Sequence, residues 1–150
     1  MLETLFPKKQ NLDYGQETID ILRLIRSENV GPRTFSNLIR LFGSAKNALD
    51  NIGEYSVRGG RSKPINICSE EEVLKEIQAH NKAGAKIITY QDLNFSQLLL
   101  KIYDFPPVLS YKGNIELLNA AKPIAIVGAR SCSINSHGFA SQIAKDLAAE

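Results

Sequence analysis

A glycine turn after a short apolar segment is the first place where residue types and spacing could do chemistry. Residues 123–127 read Pro-Ile-Ala-Ile-Val, and Gly128, Ala129 and Arg130 follow directly. Ser133 lies three residues further on. The apolar run has the length and composition of a buried strand, and a helix is predicted to begin shortly after the turn. In doubly wound α/β folds such a corner faces an anion with backbone N–H groups, so the pattern predicts an anion site.

Arg130 indicates which kind of anion this corner fits. A dinucleotide-binding turn carries glycine at this position, so that a pyrophosphate can approach the backbone. An arginine instead favours a single phosphate held by two parallel hydrogen bonds from the guanidinium group. The alternative is that Arg130 forms a surface ion pair at the end of a strand. Of the two interpretations, phosphate binding is the one that the glycine turn favours.

A second candidate site lies at the turn between two predicted helices. Residues 29–32 read Asn-Val-Gly-Pro, and Arg33 follows. Backbone N–H groups at the start of the second helix, near Gly31, can hold a DNA phosphate without reading its sequence. The run from Gly31 to residue 44 resembles a helix-hairpin-helix module, except that Asn29 replaces the usual first glycine. The alternative is a helical packing module that does not contact phosphate.

The predicted secondary structure that positions these residues is helical at first and then alternates between strands and helices. Apolar spacing predicts helices over residues 18–28, 32–42 and 44–52, a loop over 53–64, and a helix from a capping box at Ser69 and Glu72 to about Gly84. Strands are predicted at 85–90, 107–112 and 123–127, with short helices at 95–102 and 115–120 and a last helix at 139–150. Since strands alternate with helices from residue 86 onward, a parallel α/β sheet is predicted.

Composition narrows the classes of protein to consider. The 150 residues are 43% hydrophobic and 23% charged, which is typical of one globular domain or two small ones. No run approaches the about 18 apolar residues of a membrane helix, and the N-terminus lacks the order of a signal peptide, so a cytoplasmic protein is predicted. Two cysteines without Cys-x-x-Cys spacing predict neither a disulfide framework nor a zinc site. No motif calls for a cofactor or a metal.

The charge is nearly balanced but unevenly spread. The formal net charge is +2, and the first 64 residues hold ten basic and seven acidic side chains. Four arginines, at positions 23, 26, 33 and 40, fall close together, which is a local argument for a polyanionic partner. The alternative is that they form the solvated faces of two amphipathic helices.

Two motifs in a fixed order resemble one known family. Val-Gly-Ala-Arg at 127–130, followed by Ser133, is similar to the Gly-Ser/Ala-Arg motif of the bacterial DNA-processing protein A (DprA/Smf) family. Residues 95–114 read Phe-Ser-Gln-Leu-Leu-Leu-Lys-Ile-Tyr-Asp-Phe-Pro-Pro-Val-Leu-Ser-Tyr-Lys-Gly-Asn. They resemble that family's lead-in: an aromatic-x-x-Leu-Leu, then Asp-x-Pro-Pro-x-Leu, then Gly-Asp/Asn. The helical run from Gly31 sits where the family carries a SAM-like domain, so the resemblance spans about residues 17–150.

The resemblance implies a single-stranded DNA-binding protein of natural transformation without catalytic activity, which protects incoming strands and helps to load the RecA recombinase. Carried over by position, Arg130 would clamp a DNA phosphate, and Gly128 and Ala129 would offer backbone N–H groups. Ser133 would be a phosphate-contacting or helix-capping hydroxyl. Gly31 and Arg33 are secondary candidates for DNA contact.

The resemblance also implies an architecture. An N-terminal tail over residues 1–16 precedes a SAM-like, helix-hairpin-helix-like helical domain over 17–64. The first part of a Rossmann-like parallel α/β domain follows over 65–150, and we expect it to be truncated at residue 150. A complete family member would form a homodimer, whose surface would lie beyond these residues. Since strand 123–127 would then have unpaired edges, we expect this chain to bind single-stranded DNA far more weakly than a complete protein.

Two other functions remain open from the sequence. One is a Rossmann-like enzyme that holds the phosphate of a nucleotide at the turn from Gly128 to Arg130, although no catalytic acid is evident beside it. The other is the product of a split gene, partly folded and without a function of its own. If DNA binding by a full-length relative survives the change Arg130→Ala unaltered, the assignment of a phosphate clamp is wrong.

Overall fold

The computed structural model describes residues 14–120 and 122–149. Most of the predicted N-terminal tail therefore lies outside the described residues. The described part divides into two compact units, the first ending at Asn119 and the second beginning at Ala120. Its helices are α1 (Gln16–Arg26), α2 (Pro32–Phe42), α3 (Ala45–Arg58), α4 (Glu70–Lys82) and α5 (Ile134–Ala149), its strands are β1 (Lys86–Thr89) and β2 (Val108–Tyr111), and 3₁₀ turns span Leu99–Lys101 and Ile115–Asn119.

Local capping signals set most helix ends where the sequence predicts them. Gly43 ends α2 with φ at 81°, a left-handed conformation that glycine adopts without a steric cost. Ser44 begins α3 by accepting a hydrogen bond from the Asn47 N–H at 3.1 Å. Ser69 and Glu72 form the predicted capping box of α4. These predictions are confirmed.

The predicted loop over residues 53–64 is partly wrong. α3 continues through Gly53 and ends only at Arg58. A side chain at Gly53 would meet the Pro64 Cβ at 3.8 Å, so this glycine lies where the following segment packs closely on the helix. A lone glycine costs a helix only about 1 kcal/mol, and packing of Ile52 and Ser56, both buried, offsets that cost.

Helix α1 lies at the centre of the first unit because both of its faces are apolar. Ile21 and Leu24 pack into one cluster with residues of α2 and α3, among them Phe35, Leu38, Ala48 and Ile52. Ile19 and Leu22 pack into a second cluster with Val73, Ile77 and Ile87 of α4 and β1. Helices α2 and α3 thus pack on one face of α1, and α4 and β1 pack on the other.

The fold class is confirmed in outline, since a helical domain is followed by the start of an α/β region. The predicted parallel pairing is wrong for the first two strands: β1 and β2 pair antiparallel, with Lys86 opposite Tyr111 and Thr89 opposite Val108. A parallel pair needs a crossover connection of a dozen or more residues, which usually contains an α-helix. The connection here contains only the 3₁₀ turn Leu99–Lys101 in place of the predicted helix, and the chain reverses. The Tyr90 N–H donates to the Pro107 carbonyl at 2.9 Å and closes this connection.

In the second unit, the predicted buried strand over residues 123–127 does not form among the described residues. Ile124 is 64% and Val127 is 91% exposed. The physical reason is that a strand needs a neighbour to pair its backbone N–H and C=O groups, and the described residues of this unit form no other strand. Helix α5 does form, from Ile134 rather than residue 139, and it has no buried residue.

No helix in the described part of the chain combines the length and the apolar character needed to cross a membrane.

An ion pair between α1 and α4 makes stability depend on pH. The Arg26 guanidinium donates to both carboxylate oxygens of Glu76, at 2.8 and 3.0 Å. The hydrogen bond from Arg26 is the main cause that lowers the pKa of Glu76 below its ordinary value. Because the folded-state pKa is the lower one, the pair stabilises the fold above the unfolded-state pKa. That contribution is lost as the pH falls through the folded-state pKa.

We therefore expect Glu76→Gln to lower the free energy of unfolding at neutral pH by no more than about 1 kcal/mol, since the pair is partly exposed. The difference from the parent chain should shrink as the pH falls below the ordinary range of glutamate. Urea unfolding over a pH series measures this. Glu70→Gln, an exposed glutamate on the same helix, is the matched control. A constant difference between Glu76→Gln and the parent at every pH would contradict the assignment.

Candidate functional site

The turn from Gly128 to Ser133 is exposed throughout and lies between the extended segment and α5. A Cβ atom added to Gly128 would meet no atom within 4 Å. No neighbouring atom in this unit therefore requires a glycine at position 128. Gly128, Ala129 and Arg130 are brought together as their spacing implies, because they are consecutive in one turn.

Ser133 acts as the cap of α5. Its Oγ accepts a hydrogen bond from the Ser136 N–H at 3.2 Å and contacts the Ser136 hydroxyl at 2.9 Å. Its carbonyl accepts from the His137 N–H at 3.0 Å. Of the two roles considered for this hydroxyl, the capping role is visible directly. The cap places the N-terminal, electropositive end of a 16-residue helix four residues after Arg130.

The Arg130 side chain is exposed, and no carboxylate among the described residues of the second unit forms an ion pair with it. Its five N–H donors are therefore not used within that unit. A guanidinium fork beside an open backbone turn and a helix N-terminus is an arrangement that can bind a phosphate.

The helical hairpin in the first unit keeps the expected geometry. Asn29 has φ at 58°, so it adopts the left-handed conformation for which a glycine is usual at this position. Gly31 is the N-cap of α2, and its carbonyl accepts from the Phe35 N–H at 2.9 Å. Arg33 is exposed in the first turn of the helix. The structure thus holds both secondary candidates, Gly31 and Arg33, at the start of α2.

A carboxylate lies beside this hairpin. Glu28 accepts hydrogen bonds from the Arg61 guanidinium at 2.8 Å and from the Asn66 N–H at 3.1 Å, and the Asn29 side chain also donates to it. The hydrogen bond from Arg61 is the main cause that lowers the pKa of Glu28, which keeps the carboxylate charged. The carboxylate lies next to the turn as part of an ion pair with Arg61, so the pair adds little net charge there.

The four clustered arginines divide into two pairs. Arg23 donates to the Cys68 carbonyl at 3.1 Å, and Arg26 binds Glu76, so these two hold the first unit together. Arg33 and Arg40 are exposed on α2 and form no ion pair among the described residues. Among the described residues, the two arginines of this group that form no ion pair therefore both lie on α2.

Sequence reasoning missed Tyr103, which lies over the same part of α2. The Arg33 Cζ atom is 4.9 Å from the centroid of the Tyr103 ring. The seven-residue spacing of Arg33 and Arg40 places them on one helix face, and this was readable from the sequence. The approach of a loop 70 residues later was not.

No group of three or more His, Cys, Asp or Glu side chains is placed to hold a metal ion in the described ranges.

Two family models match the chain in succession. Residues 15–79 match the DprA-like N-terminal HHH domain. Residues 86–150 match the DNA recombination-mediator protein A family. A search of curated proteins found no match. The first match covers the helical module and most of α4, and the second begins at β1 and includes the glycine turn before α5.

Proposed function

Because the chain belongs to the DNA recombination-mediator protein A family, we propose that it binds single-stranded DNA through the phosphate backbone. Family membership implies a role in processing DNA during recombination. The finer proposal is that the strand is one taken up in natural transformation, that binding protects it, and that RecA is loaded onto it. The same proposal places the protein in the cytoplasm, with DNA and RecA as its partners.

The observation that carries the proposal is the exposed guanidinium of Arg130 in an open glycine turn before a capped helix. Arg130 donates to two oxygens of one phosphate, and the N–H groups of Gly128 and Ala129 donate to the same group. Ser133 supports this contact by fixing the start of α5. None of these groups reads a base, so binding is independent of DNA sequence.

A second phosphate contact is proposed at Gly31 and Arg33. The support is the left-handed Asn29, which preserves the hairpin, and the exposure of Arg33. The Arg33 guanidinium is charged and forms no ion pair among the described residues, so we assign the larger share of this contact to its side chain.

The proposed activity is binding rather than catalysis. A nucleotide-dependent enzyme would use the same turn for the phosphate of a single nucleotide and would need an acid beside it. Among the described residues of the second unit, Asp146 lies 16 positions after Arg130, near the far end of α5. Mononucleotide binding is thus the outcome that would replace the DNA proposal.

The test is a binding titration of the chain with fluorescently labelled oligothymidylate, with free nucleoside triphosphate as the competitor. We expect a dissociation constant of about 10⁻⁶–10⁻⁴ M, since only a few groups contact phosphate, and an affinity that falls steeply with salt. Nucleoside triphosphate should compete weakly. Full displacement by stoichiometric nucleotide would favour the enzyme, and nanomolar affinity for DNA would contradict the small number of contacts proposed.

A further inference from the structure

A cleft on the outer face of α2, which we call the α2 cleft, is lined by Arg33, Ser36, Asn37, Arg40 and Tyr103. Its volume is about 220 Å³. It lies in the first unit and is separate in sequence from the turn at Gly128. Its lining combines two cations, an amide, a hydroxyl and an aromatic ring.

The loop that contains Tyr103 packs against α2 through a chain of aromatic contacts. Phe35, on the buried face of α2, meets Tyr90 edge to face at 5.7 Å between ring centroids. Tyr90 in turn meets Phe105 at 6.0 Å. Tyr103 lies two residues before Phe105, just as Arg33 lies two residues before Phe35. These aromatic contacts thus link the loop that contains Tyr103 to the helix that contains Arg33.

Tyr103 is exposed in a way that packing does not explain. Its side chain is 80% exposed, although its immediate neighbour in space is the Arg33 guanidinium at 4.9 Å. An arginine over one face of the ring leaves the remaining surface open, and the cation makes the ring a better stacking partner for an electron-rich group. An exposed aromatic ring with cations beside it is the usual platform for an unpaired base.

The remaining lining residues supply charge and hydrogen bonds. Arg40 donates to the Asn37 side chain at 3.0 Å, which orients its guanidinium along the helix. The Ser36 hydroxyl is shielded from solvent and is the one buried side-chain polar atom in the described ranges without a hydrogen-bond partner. Such an unpaired group is energetically unfavourable, so it marks the cleft as incompletely satisfied in the unliganded chain.

We propose, resting on the proposed binding of single-stranded DNA, that the α2 cleft is a base-stacking subsite for the strand. An unpaired base stacks on Tyr103, and the phosphates on either side of it are neutralised by Arg33 and Arg40. A duplex is excluded from this mode because its bases are already stacked on one another. The subsite differs from the contact at Arg130, which involves phosphate only, and neither contact requires the other.

The test uses two probes with the complete 150-residue chain: oligothymidylate and an abasic oligonucleotide of the same length, which keeps the phosphates but lacks bases. Tyr103→Ala is expected to weaken binding of oligothymidylate by about 5- to 150-fold, the range for loss of one stacked base. It should leave binding of the abasic strand nearly unchanged. Tyr103→Phe, which keeps the ring, should bind both probes like the parent.

Arg33→Ala is the companion variant. It should weaken binding of both probes, because a phosphate contact does not depend on the base, and it should lower the salt dependence. Since Tyr103 and Arg33 are both exposed, neither change should alter the urea midpoint of the chain, and this measurement guards against misfolding.

Four outcomes overturn the subsite. One is that Tyr103→Ala binds oligothymidylate like the parent, and a second is that it loses both probes equally. A third is that the parent binds neither probe. The fourth is that an acidic peptide, polyglutamate, binds the parent in a Tyr103-dependent way while oligothymidylate does not, which would make the cleft a protein-binding site.

If Arg130→Ala abolishes DNA binding while Tyr103→Ala has no effect, the proposed function stands without this subsite. The converse pattern supports the subsite and removes the contact at Arg130.

Discussion

Arg130→Ala is expected to weaken binding of single-stranded DNA by about 5- to 30-fold, equivalent to about 1–2 kcal/mol. The guanidinium is exposed and forms no ion pair among the described residues of its unit, so its removal leaves no partner unpaired in the free protein. The loss falls on the bound state, where a charge-assisted contact to phosphate disappears. The slope of log affinity against log salt should become shallower by about 0.7. Fluorescence anisotropy over a salt series measures both quantities.

Two further variants separate charge from geometry at this position. Arg130→Lys keeps the cation, so the salt dependence should stay near that of the parent while the affinity falls, because an ammonium group cannot donate the two parallel hydrogen bonds. Lys145→Ala removes one exposed cation from α5 and is the matched control for net charge. Equal losses in Lys145→Ala and Arg130→Ala would mean that only the overall charge matters, which would contradict a clamp at Arg130.

Phe35→Ala is expected to have the largest effect on stability, lowering the free energy of unfolding by about 3–5 kcal/mol. Phe35 is only 1% exposed and is among the largest fully buried side chains of the first unit. It packs with residues of α1 and α3, and its ring contacts Tyr90 edge to face. Removing it leaves a cavity at the junction of three helices and ends the aromatic chain to Phe105. Urea unfolding followed by circular dichroism measures the change.

The control for this variant is Phe139→Ala. Phe139 is 71% exposed on α5, so its removal should change the stability by no more than about 0.5 kcal/mol. Phe35→Ala should also weaken stacking at Tyr103 under conditions where the chain is still folded, since Phe35 supports the α2 cleft. A loss of less than about 1 kcal/mol on removing Phe35 would show that α2 is not held by the cluster described above.

Helix ends were predictable because their signals are local. Gly43 ends α2 by adopting a left-handed φ, which requires no distant partner. Ser69 and Glu72 form the capping box of α4 within four residues. The extension of α3 through Gly53 was not predictable, because it depends on the burial of Ile52 and Ser56. A glycine at this position gives no sign of that burial. The antiparallel pairing of β1 and β2 was missed for a similar reason. Strand direction depends on the path of the connection, and a three-residue turn replaced the helix that a parallel crossover needs.

For the candidate sites, too, residues that are neighbours in the sequence were predictable, and contacts between distant segments were not. Arg130 and its glycine turn are contiguous, so the sequence was sufficient to propose them, and Ser133 caps α5 as one of its two suggested roles. The apolar run at 123–127 predicted a strand, but a strand depends on neighbours, and the described residues of that unit supply none. The α2 cleft joins Arg33 to Tyr103, and only folding brings these two segments together.

We propose that DNA phosphate binds at the turn from Gly128 to Arg130. A proton–nitrogen correlation spectrum of the isotopically labelled chain, recorded during titration with oligothymidylate, detects this contact at the backbone amides themselves. We predict that the backbone amide signals of Gly128, Ala129 and Arg130 shift in a saturable way, and that salt reverses the shifts, while signals from α4 stay in place. Saturable binding of the oligonucleotide that leaves these three amide signals unmoved would contradict the claim.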